Sequence, residues 1–378
     1  MQKSSPIAAA FTTIILTMKL STCAIAANYS AYYRNPEQPP NPTTLKTPSG
    51  QQGWSTKAKL LFAVPEENII VGLTKQNIYG LDLKTGSLRW KSSTPGIILK
   101  CANEIIACCQ QMKIYFCSWK SGEIKTETML DVFMGRSRFA RRAHATRAGI
   151  AYLEYRDDDY LFTNCQRLIL VDHATGKLTA NESLQMLIGY LIDIVKGRAY
   201  FVSKEQSICC YSLKESKLEW LKQVTSLTNP VYLSNQILVI DDEQRLLTLD
   251  AQNGSCKELA QLNLPVAGKF RVEYNYPYQG KIFEDRLFIK TATSLTQVDL
   301  RVFAQKWQLS QKNLPPMYSV DSNKLLLAND EGKVFYHCAN SGKLIWRDEI
   351  RALRNAKEIE LTNGHLFAKG GHICVKLR

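Results

Sequence analysis

A strand-and-turn pattern that returns seven times constrains the fold of this chain more than any other feature. The clearest copy runs from Ile78 to Trp90 and the last complete copy from Val334 to Trp346. The other copies are Ile114 to Lys125, Leu168 to Leu178, Ile208 to Trp220, Leu246 to Lys257 and Leu295 to Trp307. Each begins with β-branched, aromatic or aliphatic residues, which predicts a strand buried between neighbouring sheets.

The turn after the strand has a recurring set of residues in the copies. The strand ends at Asp82, Ser118, Asp172, Ser212, Asp250, Asp299 and Cys338 in the successive copies. A carboxylate at this position accepts hydrogen bonds from turn amides, and a glycine such as Gly86 supplies the positive φ that closes a hairpin. A tryptophan follows the strand end in four copies, at Trp90, Trp220, Trp307 and Trp346. We expect these rings on the returning strand, covering the seam against the next sheet.

The spacing of about 40 residues with one hairpin per unit is typical of a four-stranded propeller blade. Three further strand-like segments, Ile359 to Leu361, Leu366 to Ala368 and Ile373 to Val375, follow the last copy. They would form a blade without its outermost strand, which the segment around Trp54 could supply. The sequence therefore predicts an all-β protein, a β-propeller of eight four-stranded blades (seven is the alternative) closed by an N-terminal strand.

The copies resemble the repeat of pyrroloquinoline-quinone (PQQ)-like propellers, whose hallmark is matched here by Asp82, Thr85, Gly86 and Trp90. The signatures of WD40 repeats are absent. The resemblance covers about Lys57 to Arg378 and implies a PQQ-like propeller domain at 54–378. The name of the repeat describes a fold, so it implies no bound quinone, and we expect no cofactor.

The N-terminal residues 1–26 have the pattern of a signal peptide. Lys3 precedes an uncharged apolar run from Pro6 to Met18, and Ala24-Ile25-Ala26 is a small-residue cleavage site. The run is shorter than the roughly 20 residues that span a bilayer. Two alternatives stay open: lipid attachment at Cys23, because Leu20 to Cys23 resembles a bacterial lipobox, and an uncleaved apolar helix. Residues 27–53 are rich in proline and predict a tether, whose last residues could join the sheet.

Charge and cysteine content bear on partners and on redox state. The net charge of +14 favours anionic partners such as lipid headgroups or cell-wall polymer. Two vicinal pairs stand out among eleven cysteines, Cys108-Cys109 and Cys209-Cys210. Adjacent side chains of a strand point to opposite faces, so each pair can place one thiol on either side of its sheet. The alternative is a vicinal disulfide, which some quinone-dependent dehydrogenases resembling this repeat family carry.

Two insertions between the copies are the candidate partner-binding sites. The first carries five arginines without an acid between them, at Arg136, Arg138, Arg141, Arg142 and Arg147. Such a loop could dock onto anionic lipid, polymer or an acidic protein surface, or could be solvated without a partner. The second carries Tyr274, Tyr276 and Tyr278. These rings could anchor a protein contact or pack between blades.

No catalytic signature accompanies the repeat: the sequence has no P-loop, zinc-ligand helix or nucleophile elbow, and its five histidines are scattered. The preferred interpretation is a non-enzymatic scaffold of the periplasm or cell envelope, with outer-membrane anchoring through Cys23 as an option. It would bind an envelope or outer-membrane protein as a monomer within a larger complex. An exported chain of this kind resembles the propeller lipoproteins of the outer-membrane assembly machinery, in which loops of one face grip the barrel-inserting subunit. The alternatives are a quinone-dependent dehydrogenase and a polyanion-binding propeller, with nucleic acid the least favoured polyanion.

Overall fold

The computed structural model describes most residues between Asn41 and Leu377. Residues Asn41–Arg378 form one compact unit. The described ranges are 41–46, 52–74, 77–93, 97–100, 105–110, 113–129, 143–146, 148–155, 166–172, 174–184, 188–203, 205–265, 279–291, 293–311, 314–350, 353–356 and 358–377. The predicted signal peptide and most of the predicted tether lie outside them. No helix in these ranges is long and apolar enough to cross a membrane.

These residues form eight antiparallel sheets, seven of which consist of four consecutive strands. Sheet 1 contains β3 (Lys59–Val64), β4 (Ile69–Leu73), β5 (Ile78–Asp82) and β6 (Leu88–Ser92). A 3₁₀ turn (Pro65–Glu67) joins β3 to β4. Sheet 2 contains β7 (Ile97–Lys100), β8 (Ile105–Gln110), β9 (Lys113–Ser118) and β10 (Ile124–Met129). Sheet 3 contains β11 (Ala143–Ala145), β12 (Gly149–Tyr155), β13 (Gln166–Asp172) and β14 (Leu178–Leu184).

The next four sheets repeat this meander. Sheet 4 contains β15 (Ile188–Val195), β16 (Arg198–Ser203), β17 (Ser207–Ser212) and β18 (Lys217–Gln223). Sheet 5 contains β19 (Val231–Leu233), β20 (Gln236–Ile240), β21 (Arg245–Asp250) and β22 (Cys256–Gln261). Sheet 6 contains β23 (Gln279–Phe283), β24 (Arg286–Lys290), β25 (Ser294–Asp299) and β26 (Ala304–Ser310). Sheet 7 contains β27 (Met317–Asp321), β28 (Lys324–Ala328), β29 (Lys333–Cys338) and β30 (Leu344–Glu349).

The last sheet, the closing sheet, joins the two ends of the described chain. Its C-terminal strands are β31 (Ile359–Thr362), β32 (His365–Ala368) and β33 (Ile373–Lys376), and its N-terminal strands are β1 (Thr43–Lys46) and β2 (Gln52–Ser55). The strand order is β1-β2-β33-β32-β31, and Trp54 pairs with Cys374. This confirms the predicted closure by the segment around Trp54. Within the segment 27–53, Thr43–Lys46 adds a fifth strand outside β2, which agrees with the expectation that the last residues of this segment could join the sheet.

The first strand of each sheet lies at the centre. First strands of successive sheets contact one another, as β27 does with β31 and β15 with β19. The faces of neighbouring sheets bury separate apolar clusters, such as that of Phe288, Leu295 and Leu325 between sheets 6 and 7. This is the arrangement predicted from the repeats. The described ranges contain as many sheets as the predicted number of blades, while the blade count itself stays a prediction.

The repeated turn works as expected from its residues. The Oδ1 atom of Asp82 accepts hydrogen bonds from the backbone amides of Lys84 and Thr85, both at 2.9 Å. Gly86 has a φ of 74°, and equivalent glycines in four other copies also have positive φ. Where the glycine is missing, a residue such as Phe303 adopts a φ of 49° instead.

The tryptophans seal the seams between sheets, as predicted. The indole N–H of Trp90 donates to the carbonyl of Trp119 in the next sheet at 2.8 Å, and that of Trp307 donates to Ala339 at 3.0 Å. Each ring covers the turn glycine of the next sheet so closely that a Cβ there would collide with it. Trp54 makes the same contact across the closure, since its N–H donates to the Leu83 carbonyl at 3.1 Å.

Candidate interaction face and channel mouth

The connections between strands divide the molecule into two faces of different character. Because the sheets are meanders, turns that join first to second and third to fourth strands lie at one end, here called the turn face. The other connections lie at the opposite end, here called the connection face. No connection at the turn face exceeds five residues. All the longer ones are at the connection face, and the longest are 130–142, 156–165, 262–278 and 350–358.

The predicted partner-binding residues fall mainly in two of these connections. Arg136, Arg138, Arg141 and Arg142 precede β11, and all three tyrosines, Tyr274, Tyr276 and Tyr278, precede β23. Along the chain, β11 (Ala143–Ala145) lies between Arg147 and the other four arginines, so Arg147 belongs to the short segment 146–148 and the grouping of all five as one partner-binding loop stays a prediction. All eight residues, and Cys23, lie outside the described residues.

A cluster of opposite charges, here called the channel mouth, lies at the connection face near the centre. Lys369 forms an ion pair with Glu358 and a second one, at 3.8 Å, with Glu360. Glu360 also accepts a hydrogen bond from the Ala63 amide of β3 at 3.1 Å, which ties the first strands of sheet 1 and the closing sheet together. The pKa of Lys281 on β23 is lowered by burial and by the charge of Lys369, against the effect of Glu360 and Glu358.

Next to the channel mouth, an open recess of about 520 Å³ lies between the β28–β29 turn and the connection from β30 to β31. It is lined by Asp330, Glu331, Lys333, Glu349, Arg354 and Asn355. Four of these residues form two ion pairs: Lys333 contacts Glu331 at 2.7 Å, and Arg354 contacts Glu349 at 2.9 Å. The hydrogen bond from Lys333 lowers the pKa of Glu331. The recess therefore offers charges of both signs to a polar partner.

Sequence reasoning missed both the channel mouth and the recess. Their residues are spread over 281–369 and follow no motif, and only the ring arrangement brings them to one face. One feature of the sequence could have indicated the channel mouth. Lys281 and Glu360 are charged residues near the predicted start of a blade, where the first strand lies at the centre. The described residues contain no group of three His, Cys, Asp or Glu side chains that could hold a metal ion.

The structure bears on the alternative of a vicinal disulfide at Cys209-Cys210 in sheet 4. Cys209 and Cys210 are both free and fully buried thiols. They point to opposite faces of β17: Cys209 packs in a cluster with Phe201, and Cys210 in one with Tyr200. The vicinal disulfide is therefore not formed there, because alternation along the strand separates the two side chains. Cys108 and Cys109 lie on β8, and their side chains are outside the described residues.

Meandering four-stranded sheets with first strands at the centre and aromatic seams between them define a β-propeller. Solved structures similar to this chain include BamB from Moraxella catarrhalis, with a TM-score of 0.52, 9% identity, and coverage of 89% of this chain and 97% of that one. Sqt1 from Saccharomyces cerevisiae has a TM-score of 0.55 and 8% identity, and the match covers 86% of this chain and 97% of Sqt1. A europium-containing methanol dehydrogenase has a TM-score of 0.50 and 9% identity, with coverage of 79% and 80%.

These similarities extend to the fold alone, because all three identities are far below 25%. No protein-family profile matches the chain, and no curated protein matches its sequence. One of the similar structures is a dehydrogenase, and a fold by itself does not decide whether a protein is an enzyme.

Proposed function

We propose that this protein is a non-enzymatic scaffold of the cell envelope that binds an envelope or outer-membrane protein through its connection face. The observation that carries the proposal is the concentration of all long connections at that face, while the turn face keeps only tight hairpins. Binding residues are disproportionately found on loops that a rigid scaffold holds in place. Long loops that are confined to one face are typical of a protein that binds its partner through that face.

The chemistry of the connection face supports a protein as the ligand. Four arginines and three tyrosines belong to its two longest connections, and both residue types are enriched at the centres of protein interfaces. The recess adds paired charges that can select among partners by complementarity. The resemblance of the repeats to the outer-membrane assembly propellers, together with the BamB similarity in fold, favours a role in outer-membrane protein assembly.

The test is cross-linking in the native envelope followed by mass spectrometry. The test variant carries Gln at Arg136, Arg138, Arg141 and Arg142. The matched control carries Gln at four exposed lysines of the turn face, Lys84, Lys177, Lys214 and Lys343, so both variants lose the same charge. We expect a defined membrane-protein partner whose recovery falls at least about fivefold in the test variant only, since each lost Arg contact costs on the order of 1 kcal/mol.

Equal recovery in the two variants would contradict binding through the connection face. Absence of any specific partner, together with dye reduction by the purified protein in the presence of an alcohol or sugar and quinone, would replace the scaffold with a dehydrogenase. Binding to anionic vesicles that falls steeply with salt, without a protein partner, would replace it with a polyanion-binding propeller.

A further inference from the structure

Four seams of the ring are sealed in the same way by an indole. In each of them the N–H of a tryptophan donates to the carbonyl that follows the third strand of the next sheet. The donor and acceptor pairs are Trp54 with Leu83, Trp90 with Trp119, Trp220 with Ala251, and Trp307 with Ala339. The ring also covers the glycine of the turn after that strand, which is Gly86, Gly122, Gly254 or Gly342. The chain itself thus shows which side chain fits the outer end of a seam.

Two further seams are filled by other side chains. Between sheets 2 and 3, a Cβ at Gly176 would meet Thr126 and Thr128 at 3.1 Å, so the two threonines cover this turn. Between sheets 5 and 6, Phe303 replaces the glycine and packs against the apolar cluster of that seam. In all six seams the residue at the glycine position is buried or half-buried.

The seam between sheets 3 and 4 differs from these six. Ala180 stands at the tryptophan position of sheet 3, and Ser216, with a φ of 50°, stands at the glycine position of sheet 4. Ser216 is exposed, unlike the residue at this position in the other six turns. On β18, which follows the turn, Leu218 and Leu221 are 41% and 48% exposed. These four residues, Ala180, Ser216, Leu218 and Leu221, are here called the open notch.

Both leucines of the open notch stand on the face of sheet 4 that looks toward Ala180. Leu218 pairs with Tyr211 and Leu221 with Cys209, and paired residues share a face. Tyr211 and Cys209 belong to the same apolar cluster as Ala180. At the position of Leu221, five other copies carry a polar residue, namely Lys91, Glu127, Asn181, Gln308 and Arg347. An exposed leucine at this point therefore widens the apolar surface only where the tryptophan is missing.

We propose that the open notch receives a tryptophan side chain of a partner protein. Its N–H donates to the carbonyl of Leu213, which follows the third strand of sheet 4, and its ring covers Ser216 and contacts Leu218 and Leu221. All six tryptophans of this chain already belong to apolar clusters of other seams. Neither this chain nor a second copy of it has an indole to spare, so the tryptophan comes from a different protein.

The experiment records methyl NMR spectra of the folded full chain with isotope-labelled leucine during titration with N-acetyltryptophanamide. An indole in the notch should shift the methyl signals of Leu218 and Leu221 through its ring current, with a dissociation constant on the order of 1 mM for one buried side chain. Leu344, which is the equivalent of Leu218 in sheet 7, should not shift, because Trp307 fills that seam. Equal shifts at Leu218 and Leu344, or equal affinity for N-acetylleucinamide, would overturn the proposal.

Two matched substitutions locate the site. Leu218→Lys removes one wall of the notch, so the affinity measured at Leu221 should fall at least about fivefold. Leu344→Lys changes the equivalent residue, which is 47% exposed, and should leave that affinity unchanged. Both positions are exposed, so both variants keep the fold. An affinity that falls equally in the two variants, or in neither, would contradict binding at the notch.

A third variant measures whether the notch has room for the ring. Ala180→Trp supplies the indole from β14 itself, as in the four sealed seams. It should shift the Leu218 and Leu221 signals without a ligand, abolish binding of N-acetyltryptophanamide and keep or raise the melting temperature. A lower melting temperature would show that no ring fits and would end the proposal. None of these results bears on partner binding through the connection face, because the turn 213–216 lies at the turn face.

Discussion

At the scale of single residues, the thiols that the structure describes include two opposite environments. Cys338 stands at the turn position that carries Asp in other copies, where a hydrogen bond with Ser341 and the amides of Ser341 and Asn340 lower the pKa of its thiol. Burial instead raises the pKa of Cys209 and of Cys374 to about 12. A turn that stabilises a carboxylate at its first position also stabilises a thiolate there.

We therefore predict that Cys338 reacts with a thiol reagent faster than the other cysteines whose side chains the structure describes. Reactivity at neutral pH follows the thiolate fraction and access, so Cys209, Cys210 and Cys374 should stay unmodified until the protein unfolds. The measurement is timed labelling with a maleimide and quantification of each cysteine by mass spectrometry. Cys338→Ser should remove the fast reaction without changing the other rates. Labelling of Cys374 as fast as Cys338 in the folded protein would contradict the prediction.

Substitution of Trp307 measures how much a tryptophan between two sheets contributes to the free energy of unfolding. Its ring covers Gly342 and its N–H bonds to Ala339, while part of the side chain stays exposed. We predict that Trp307→Ala lowers the free energy of unfolding by about 3 kcal/mol, and that Trp307→Phe lowers it by about 1 kcal/mol through loss of the hydrogen bond alone. Urea unfolding followed by circular dichroism measures both. Equal losses in the two variants would assign the stabilisation to the hydrogen bond and contradict the packing role.

At the scale of elements, the seam between the closing sheet and sheet 1 contains a buried titratable group. His365 of β32 is only 3% exposed, its Nδ1 contacts the Asn363 carbonyl at 3.0 Å, and its Nε2 has no partner among the described residues. Burial lowers its pKa, assisted by Lys376 and Lys84 and opposed by the hydrogen bond with the Asn363 carbonyl and by Asp82. The seam therefore holds a neutral imidazole that resists protonation.

We predict that this histidine makes the closure weaker in mild acid. A folded-state pKa below the unfolded value of about 6.5 means that the unfolded chain binds the proton first. The contribution of His365 to stability is thus intact above pH 6.5 and declines as the pH falls from there toward its folded pKa. Guanidinium unfolding at pH 7.5 and pH 5.5 should show a smaller loss on acidification in His365→Gln than in the wild type. An identical loss would contradict the prediction.

Much of the element order follows from the repeats, because their turns have local causes. Asp82 and Gly86 encode a hairpin whatever surrounds them, and the same holds for Asp172 with Gly176. The bounds of β1 could not be predicted, since proline-rich flanks hide a short strand whose pairing with β2 depends on the closed ring. The channel mouth was not predicted either: Lys281 and Glu360 are far apart in sequence, and no local rule relates them.

At the scale of the whole molecule, the ring is held shut by contacts between distant parts of the chain. β2 pairs with β33, and β1 covers the outer edge of β2. Trp54 is 3% exposed and bonds across the seam to Leu83, with Phe367 and Cys374 in the same cluster. Without these strands β33 would expose an unpaired edge and sheet 1 would lose the ring that covers Gly86.

Two shortened chains test this closure. A chain of residues 41–378 keeps β1 and β2, and a chain of residues 57–378 should melt about 10 °C or more below it, because the shorter chain loses an apolar seam worth several kcal/mol. The exposed β33 edge should also make the shorter chain associate. Calorimetry and size-exclusion chromatography give both results, and the peptide 41–56 added in trans should restore part of the lost stability. Equal melting temperatures of two monomeric chains would show that the ring closes without its N-terminal strands.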